Sequence, residues 1–99
     1  MTSLQAKILS ILSGIDEASI RIEISKTIFY LFEIYRSGRA SDEDILQDLF
    51  EVSKTIVTLK GLAVTPEEIQ QKGMELAKDL LNTFKVNCLY RRVASKRHA

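Results

Sequence analysis

Apolar side chains recur along this chain at steps of three and four, the spacing of one helix face, in four separate blocks. The first block is short: Leu4, Ile8, Ile11, Leu12 and Ile15, with Gly14 marking its end. The second runs from about Asp16 to Arg36, where Ile20, Ile24, Ile28, Leu31 and Tyr35 form a stripe with Phe32 beside it. Asp16 and Glu17 suit the positive end of a helix dipole. Within this block Ile20-Arg21-Ile22-Glu23-Ile24 alternates with period two and is β-branched, which in isolation reads as a strand. The longer helical rhythm around it predicts helix. Gly38, in Arg36-Ser37-Gly38-Arg39, is the expected C-terminal cap.

The third block opens at Ser41, three residues before Asp44, a variant of the capping box with Asp in place of Glu or Gln. Ile45, Leu49, Val52, Ile56 and Leu59 follow, widened by Leu46, Phe50 and Val57 into a stripe broad enough for a core. Lys60-Gly61 is its predicted end. The fourth has the strongest start signal of the chain. Thr65-Pro66-Glu67-Glu68 supplies an N-cap, a proline at the first helical position and a reciprocal capping carboxylate. Ile69, Leu76, Leu80, Phe84 and Cys88 carry its apolar face, with Ala77 and Leu81 beside it. Gly73 falls on that face at a cost of about 1 kcal/mol relative to Ala. With Ala77 it makes a small-residue ridge suited to close approach of another helix. The sequence leaves the end of the fourth helix open: Asn82, Thr83, Val86 and Asn87 are weaker helix formers, yet Leu89 and Val93 continue an apolar rhythm, and a helix reaching Arg92 would be about 40 Å long.

The predicted fold is all-α: a small helical bundle of three main antiparallel helices plus a short N-terminal helix. Ninety-nine residues make one domain, and four glycines and one proline leave little to interrupt long elements. The expected division is a bundle over residues 1–90 and a basic C-terminal tail over 91–99, either an extension of the last helix or a frayed end. Cys88, the single cysteine, cannot form an internal disulfide. It is expected to be a small buried side chain; a reactive thiol one turn from Arg91 and Arg92 is the alternative. No secretory signal is expected, since Lys7 stands alone and Ser10 and Ser13 break the apolar stretch. The longest apolar run, Ile28 to Phe32, is too short for a bilayer. A soluble cytoplasmic protein without membrane contact follows as the expectation.

Charge changes this picture more than composition does. The chain holds 14 basic and 13 acidic residues, yet Lys85, Arg91, Arg92, Lys96 and Arg97 crowd the last fifteen positions without an acid among them. Nine bases then face thirteen acids in residues 1–84. A mildly acidic body ending in a basic segment points to nucleic acid or to an acidic partner. These five residues are the candidate phosphate contacts, with Tyr90 as a stacking aromatic; the competing explanation is simple complementation of the helix dipole and solubility. A helix-turn-helix is excluded by charge, because Glu67, Glu68 and Glu75 occupy the start of the helix that would enter the groove.

No catalytic constellation emerges. The only histidine is His98, at the chain end, and there is no glycine-rich phosphate loop or paired-cysteine spacing. No catalytic residue, cofactor, metal or small-molecule substrate is expected. Asp42, Glu43, Asp44, Asp48 and Glu51 form a dense acidic set whose ordinary explanation is dipole complementation and solvation, with partner docking and a hard cation as the alternatives. The second helix carries an apolar surplus: Ile22 and Phe29 lie nearly opposite its main stripe, beside Lys26 and Glu33, while Tyr30 and Ile34 flank the stripe. Such a helix is either central to a bundle or partly at an interface. Ile22, Phe29, Tyr30, Gly73 and Ala77 are the candidate partner interface, for a larger protein or a homodimer.

With its Ile/Leu-rich helices, single cysteine and Lys/Arg-rich residues 85–99, the chain resembles in size and texture the small helical accessory subunits of archaeal replicative DNA polymerases. The likeness covers the general layout. It implies a noncatalytic protein docked on a larger enzyme and touching its DNA. The expected function is therefore an accessory or adaptor subunit of a nucleic-acid-processing complex, in DNA replication. The alternatives are a homodimeric nucleic-acid-binding protein acting alone and a structural interaction module without nucleic acid.

Overall fold

A computed structural model describes the backbone of residues 3–98 and the side chains of residues 3–88. It is all-α, with four helices and no strand among the described residues: α1 Ser3–Leu12, α2 Ala18–Arg36, α3 Asp42–Leu59 and α4 Pro66–His98. The alternating Ile20–Ile24 stretch is helical, as its longer period requires.

Local chemistry sets the helix ends. At the start of α3 the Ser41 hydroxyl accepts from the Asp44 amide at 3.2 Å. At the start of α4 the capping box is closed in both directions: the Glu68 amide donates to Thr65 Oγ1 at 3.2 Å, and the Thr65 amide donates to Glu68 Oε1 at 3.4 Å. Gly38 and Gly61 end α2 and α3 in the left-handed region, at φ 75° and 66°, which a side chain would resist. The sequence places the start of α2 two residues too early. Asp16 and Glu17 precede the helix, and Glu17 is an N-cap residue without a side-chain capping bond. Arg21 takes over at this corner by donating to the carbonyls of Ile15 and Asp16.

The helices close around one core. Phe84 of α4 is fully buried at its centre, edge-on to Phe32 at 5.2 Å and tilted against Tyr35 at 5.9 Å. Leu4, Ile8, Ile28, Ile45, Leu49, Ile56 and Leu80 belong to the same core. The α3–α4 pair is the most extensive contact of the fold. Its residues run in opposite senses: Phe50 and Lys54 lie against Gly73, and Asp42 against Lys85. A Cβ on Gly73 would stand 2.9 Å from Lys54 Cγ and 3.4 Å from both the Lys54 amide nitrogen and Phe50 Cε1. The missing side chain is what lets the two backbones approach.

α4 has 33 residues against 18 in α3, and therefore a length of about 50 Å against about 27 Å. It matches the long axis of the molecule, 50 × 27 × 16 Å. The last helix, whose end the sequence leaves open, continues to His98. Because Lys85 stands level with the first residue of α3, α4 runs about 20 Å past that level.

Two stability changes follow from the α3–α4 packing. Ser53 is fully buried on α3, and its hydroxyl has no hydrogen-bond partner. Ser53→Ala removes an unmet polar group and should raise stability by about 1 kcal/mol in urea unfolding. Gly73→Ala should be destabilising in spite of a helix-propensity gain of about 1 kcal/mol, since its Cβ would meet Lys54 at Cγ, close to the α3 backbone, rather than at the flexible end of that side chain. Gly73→Leu should cost about 2 kcal/mol by overpacking, measured the same way.

Candidate nucleic-acid and protein interfaces

The basic residues divide by position. Lys85 lies where α4 passes the start of α3, and its ammonium is 3.3 Å from Asp42 Oδ2, with both side chains about half exposed. The acidic first turn of α3, Asp42, Glu43 and Asp44, therefore adjoins the start of the basic stretch and already engages its first cation. Arg91, Arg92, Lys96 and Arg97 belong to the last turns of α4, and their side chains lie outside the described residues, as does Tyr90. Cys88 is buried, 6 % exposed. Asp48 and Glu51 point to solvent, and Glu51 pairs with Lys54 at 3.1 Å. Among the described residues no three His, Cys, Asp or Glu side chains gather as a metal site. No helix among them is long and apolar enough to cross a membrane.

The residues expected at a protein interface separate into three locations. Gly73 is buried against α3 and Ala77 lies within the core, so both are closed to any partner; the small-residue ridge is consumed within the fold. Ile22 is 54 % exposed and Phe29 half-buried, together along the edge of α2 that faces α1. Tyr30, 63 % exposed, stands roughly 90° around α2 from them, on a separate face.

The structure adds two apolar surfaces that periodicity did not single out. The first is the other wall of the groove beside Ile22. α1 packs on α4 rather than on α2, and leaves a seam where Leu9 is 60 % exposed. Leu9 lies off the main stripe of α1, so a one-face pattern gives it no role. The second is the turn between α3 and α4, where Leu59, Leu62 and Val64 are exposed, Val64 at 86 %. This turn is held firmly. Ala63 is buried, Lys72 donates to the Leu62 carbonyl at 2.6 Å, and the Leu62 amide donates to the Val57 carbonyl at 3.1 Å.

Elsewhere several charged side chains have partners at the surface. Arg36 donates to Glu33 Oε2 at 2.5 Å, and this hydrogen bond, with the carboxylate charge, raises the guanidinium pKa further above its ordinary value. Lys7 pairs with Asp79 and ties α1 to α4. Lys60 donates to the Ile11 carbonyl at 2.7 Å and ties α3 to the end of α1.

The half-exposed Asp42–Lys85 pair should contribute little to stability. A double-mutant cycle with Asp42→Ala and Lys85→Ala should give a coupling below about 1 kcal/mol by chemical denaturation. No protein-family model, curated protein or solved structure matches this chain.

Proposed function

We propose that this protein is a noncatalytic accessory or adaptor subunit of a nucleic-acid-processing complex, acting in DNA replication beside a larger protein of the archaeal replicative polymerase kind. It works in the cytoplasm. Its helices are read as a bundle in which α2, α3 and α4 alternate in direction, with α1 alongside. The basic end takes phosphate, and exposed apolar surfaces take protein.

The observation that supports this best is the distribution of charge along α4. The helix opens with Glu67 and Glu68 and ends in a sequence holding Arg91, Arg92, Lys96 and Arg97 without an acid. Cations at a helix C-terminus also complement the dipole, but that effect falls off beyond the last turn. Arg91 and Arg92 lie more than a turn before His98 and outside that range. Lys85 is the weakest of the five, because Asp42 already holds it. A homodimer acting alone on nucleic acid is the second reading, favoured by the exposed apolar seam between α1 and α2.

Binding of duplex DNA and of RNA across a salt series tests the phosphate role. Deleting residues 91–99 removes four cations, and should weaken binding and lower the salt slope by about 3 to 4 if each meets a phosphate. Unchanged affinity and slope after deletion would overturn it.

A further inference from the structure

At Lys85 α4 passes the first residue of α3, and it continues for about 20 Å beyond that level. The charges at this level oppose those of a phosphate surface. The first turn of α3 presents three exposed carboxylates, Asp42, Glu43 and Asp44. Asp42 Oδ2 stands 3.3 Å from the Lys85 ammonium, with both side chains about half exposed. Of the other bases at this corner, Arg36 donates to Glu33, and Arg39 turns back to donate to Ser37 Oγ at 2.9 Å. Among the described residues, Lys85 is thus the cation that meets the acidic turn.

We propose that the Asp42–Lys85 pair is an autoinhibitory contact. It rests on the phosphate role proposed for the basic end, and it limits how far along α4 that role extends. Asp42 withholds Lys85 from phosphate. Glu43 and Asp44 repel a nucleic-acid backbone that approaches the foot of the basic stretch. Three carboxylates against one ammonium leave this spot negative. Their influence reaches about 10 Å at 0.1 M salt. Lys96 and Arg97 lie about 17 Å farther along the axis and escape it.

The contact is suited to exchange. A half-exposed pair contributes little to stability, so Lys85 leaves Asp42 at small cost. Its ammonium offers three donors on a flexible four-carbon stem. Duplex DNA presents one negative charge per about 1.7 Å of its axis, so a phosphate and Asp42 compete for the same cation. The carboxylates do not move away with it. They complement the positive end of the α3 dipole, and Ser41 fixes the turn by accepting from the Asp44 amide at 3.2 Å. When Lys85 turns to a phosphate, all three still face it.

Binding of a short DNA duplex to the full chain across a salt series tests the inference. The variants are Asp42→Asn, Lys85→Gln, the two combined, and Glu43→Gln. Asp42→Asn should raise affinity at least about threefold at low salt and steepen the salt slope by about 0.9, the increment of one more phosphate contact. Lys85→Gln alone should leave the slope unchanged, because the cation it removes is not at a phosphate. In the Asp42→Asn protein the same change should cancel the added slope. Glu43→Gln lessens the repulsion without freeing Lys85, and should raise affinity at an unchanged slope. None of the three positions is buried, so circular dichroism should show the helices intact.

An Asp42→Asn protein with the original affinity and slope overturns the inference, as does a gain that Lys85→Gln leaves in place. In either case, weaker binding after deletion of residues 91–99 would still uphold the phosphate role. Absence of binding by every one of these proteins would overturn both.

Discussion

The approach of α3 to α4 at Gly73 is the contact on which the rest of the molecule depends. With a hydrogen in place of a side chain, α4 lies against Phe50 and Lys54, and the pair forms the largest contact surface of the fold. That contact fixes the longitudinal setting of the two helices. From it follow the position of Phe84 between Phe32 and Tyr35, and the level at which Lys85 meets Asp42. A shift of one turn along α4 would move Phe84 about 5 Å out of its aromatic pocket. Burial of Ser53 without a hydrogen-bond partner shows that close packing here prevails over satisfying one hydroxyl.

The same setting distributes the surfaces. Because α4 is nearly twice as long as α3, it carries its last turns away from the acidic first turn of α3 and from the body. The apolar α1–α2 seam opens on the side of the body, and the Leu62–Val64 turn caps the end opposite the basic one. The basic end and these two apolar surfaces thus lie apart, although Val86 is exposed beside Lys85. Such separation suits a protein that holds two kinds of partner at once, since phosphate contact needs solvated cations and protein docking needs area that can be dried.

Much of the fold is legible in the sequence, and the reasons are local. Thr65-Pro66-Glu67-Glu68 and Ser41 mark helix starts because capping depends on a few adjacent residues, and Gly38 and Gly61 mark ends because the left-handed conformation favours glycine. The start of α2 was harder to place. Asp16 and Glu17 look like first-turn acids, yet they lie outside the helix, and Arg21 secures the corner instead by reaching back to the Ile15 and Asp16 carbonyls. The end of α4 was harder still, because Asn82, Thr83, Val86 and Asn87 are individually weak helix formers. Asn87 in fact reaches Ser3 at 3.0 Å, a contact across 84 positions that no local rule anticipates.

The surfaces are less legible than the core. Periodicity finds Ile22 and Phe29 as apolar residues off the main stripe, but it cannot say whether another helix covers them. Gly73 and Ala77 carry the same ambiguity, and it resolves the other way: both are buried within the fold, Gly73 against α3, while α1 leaves the edge of α2 bare. The central claim is that nucleic acid is met at one end of the molecule and that the α1–α2 face plays no part in it. Amide chemical shifts of the full chain, followed during titration with a short DNA duplex at low salt, test this most directly. Perturbations should be confined to Lys85 and the residues after it, with the neighbouring starts of α1 and α3. Shifts centred on Ile22 and Phe29, or on the acidic start of α4, would contradict the account.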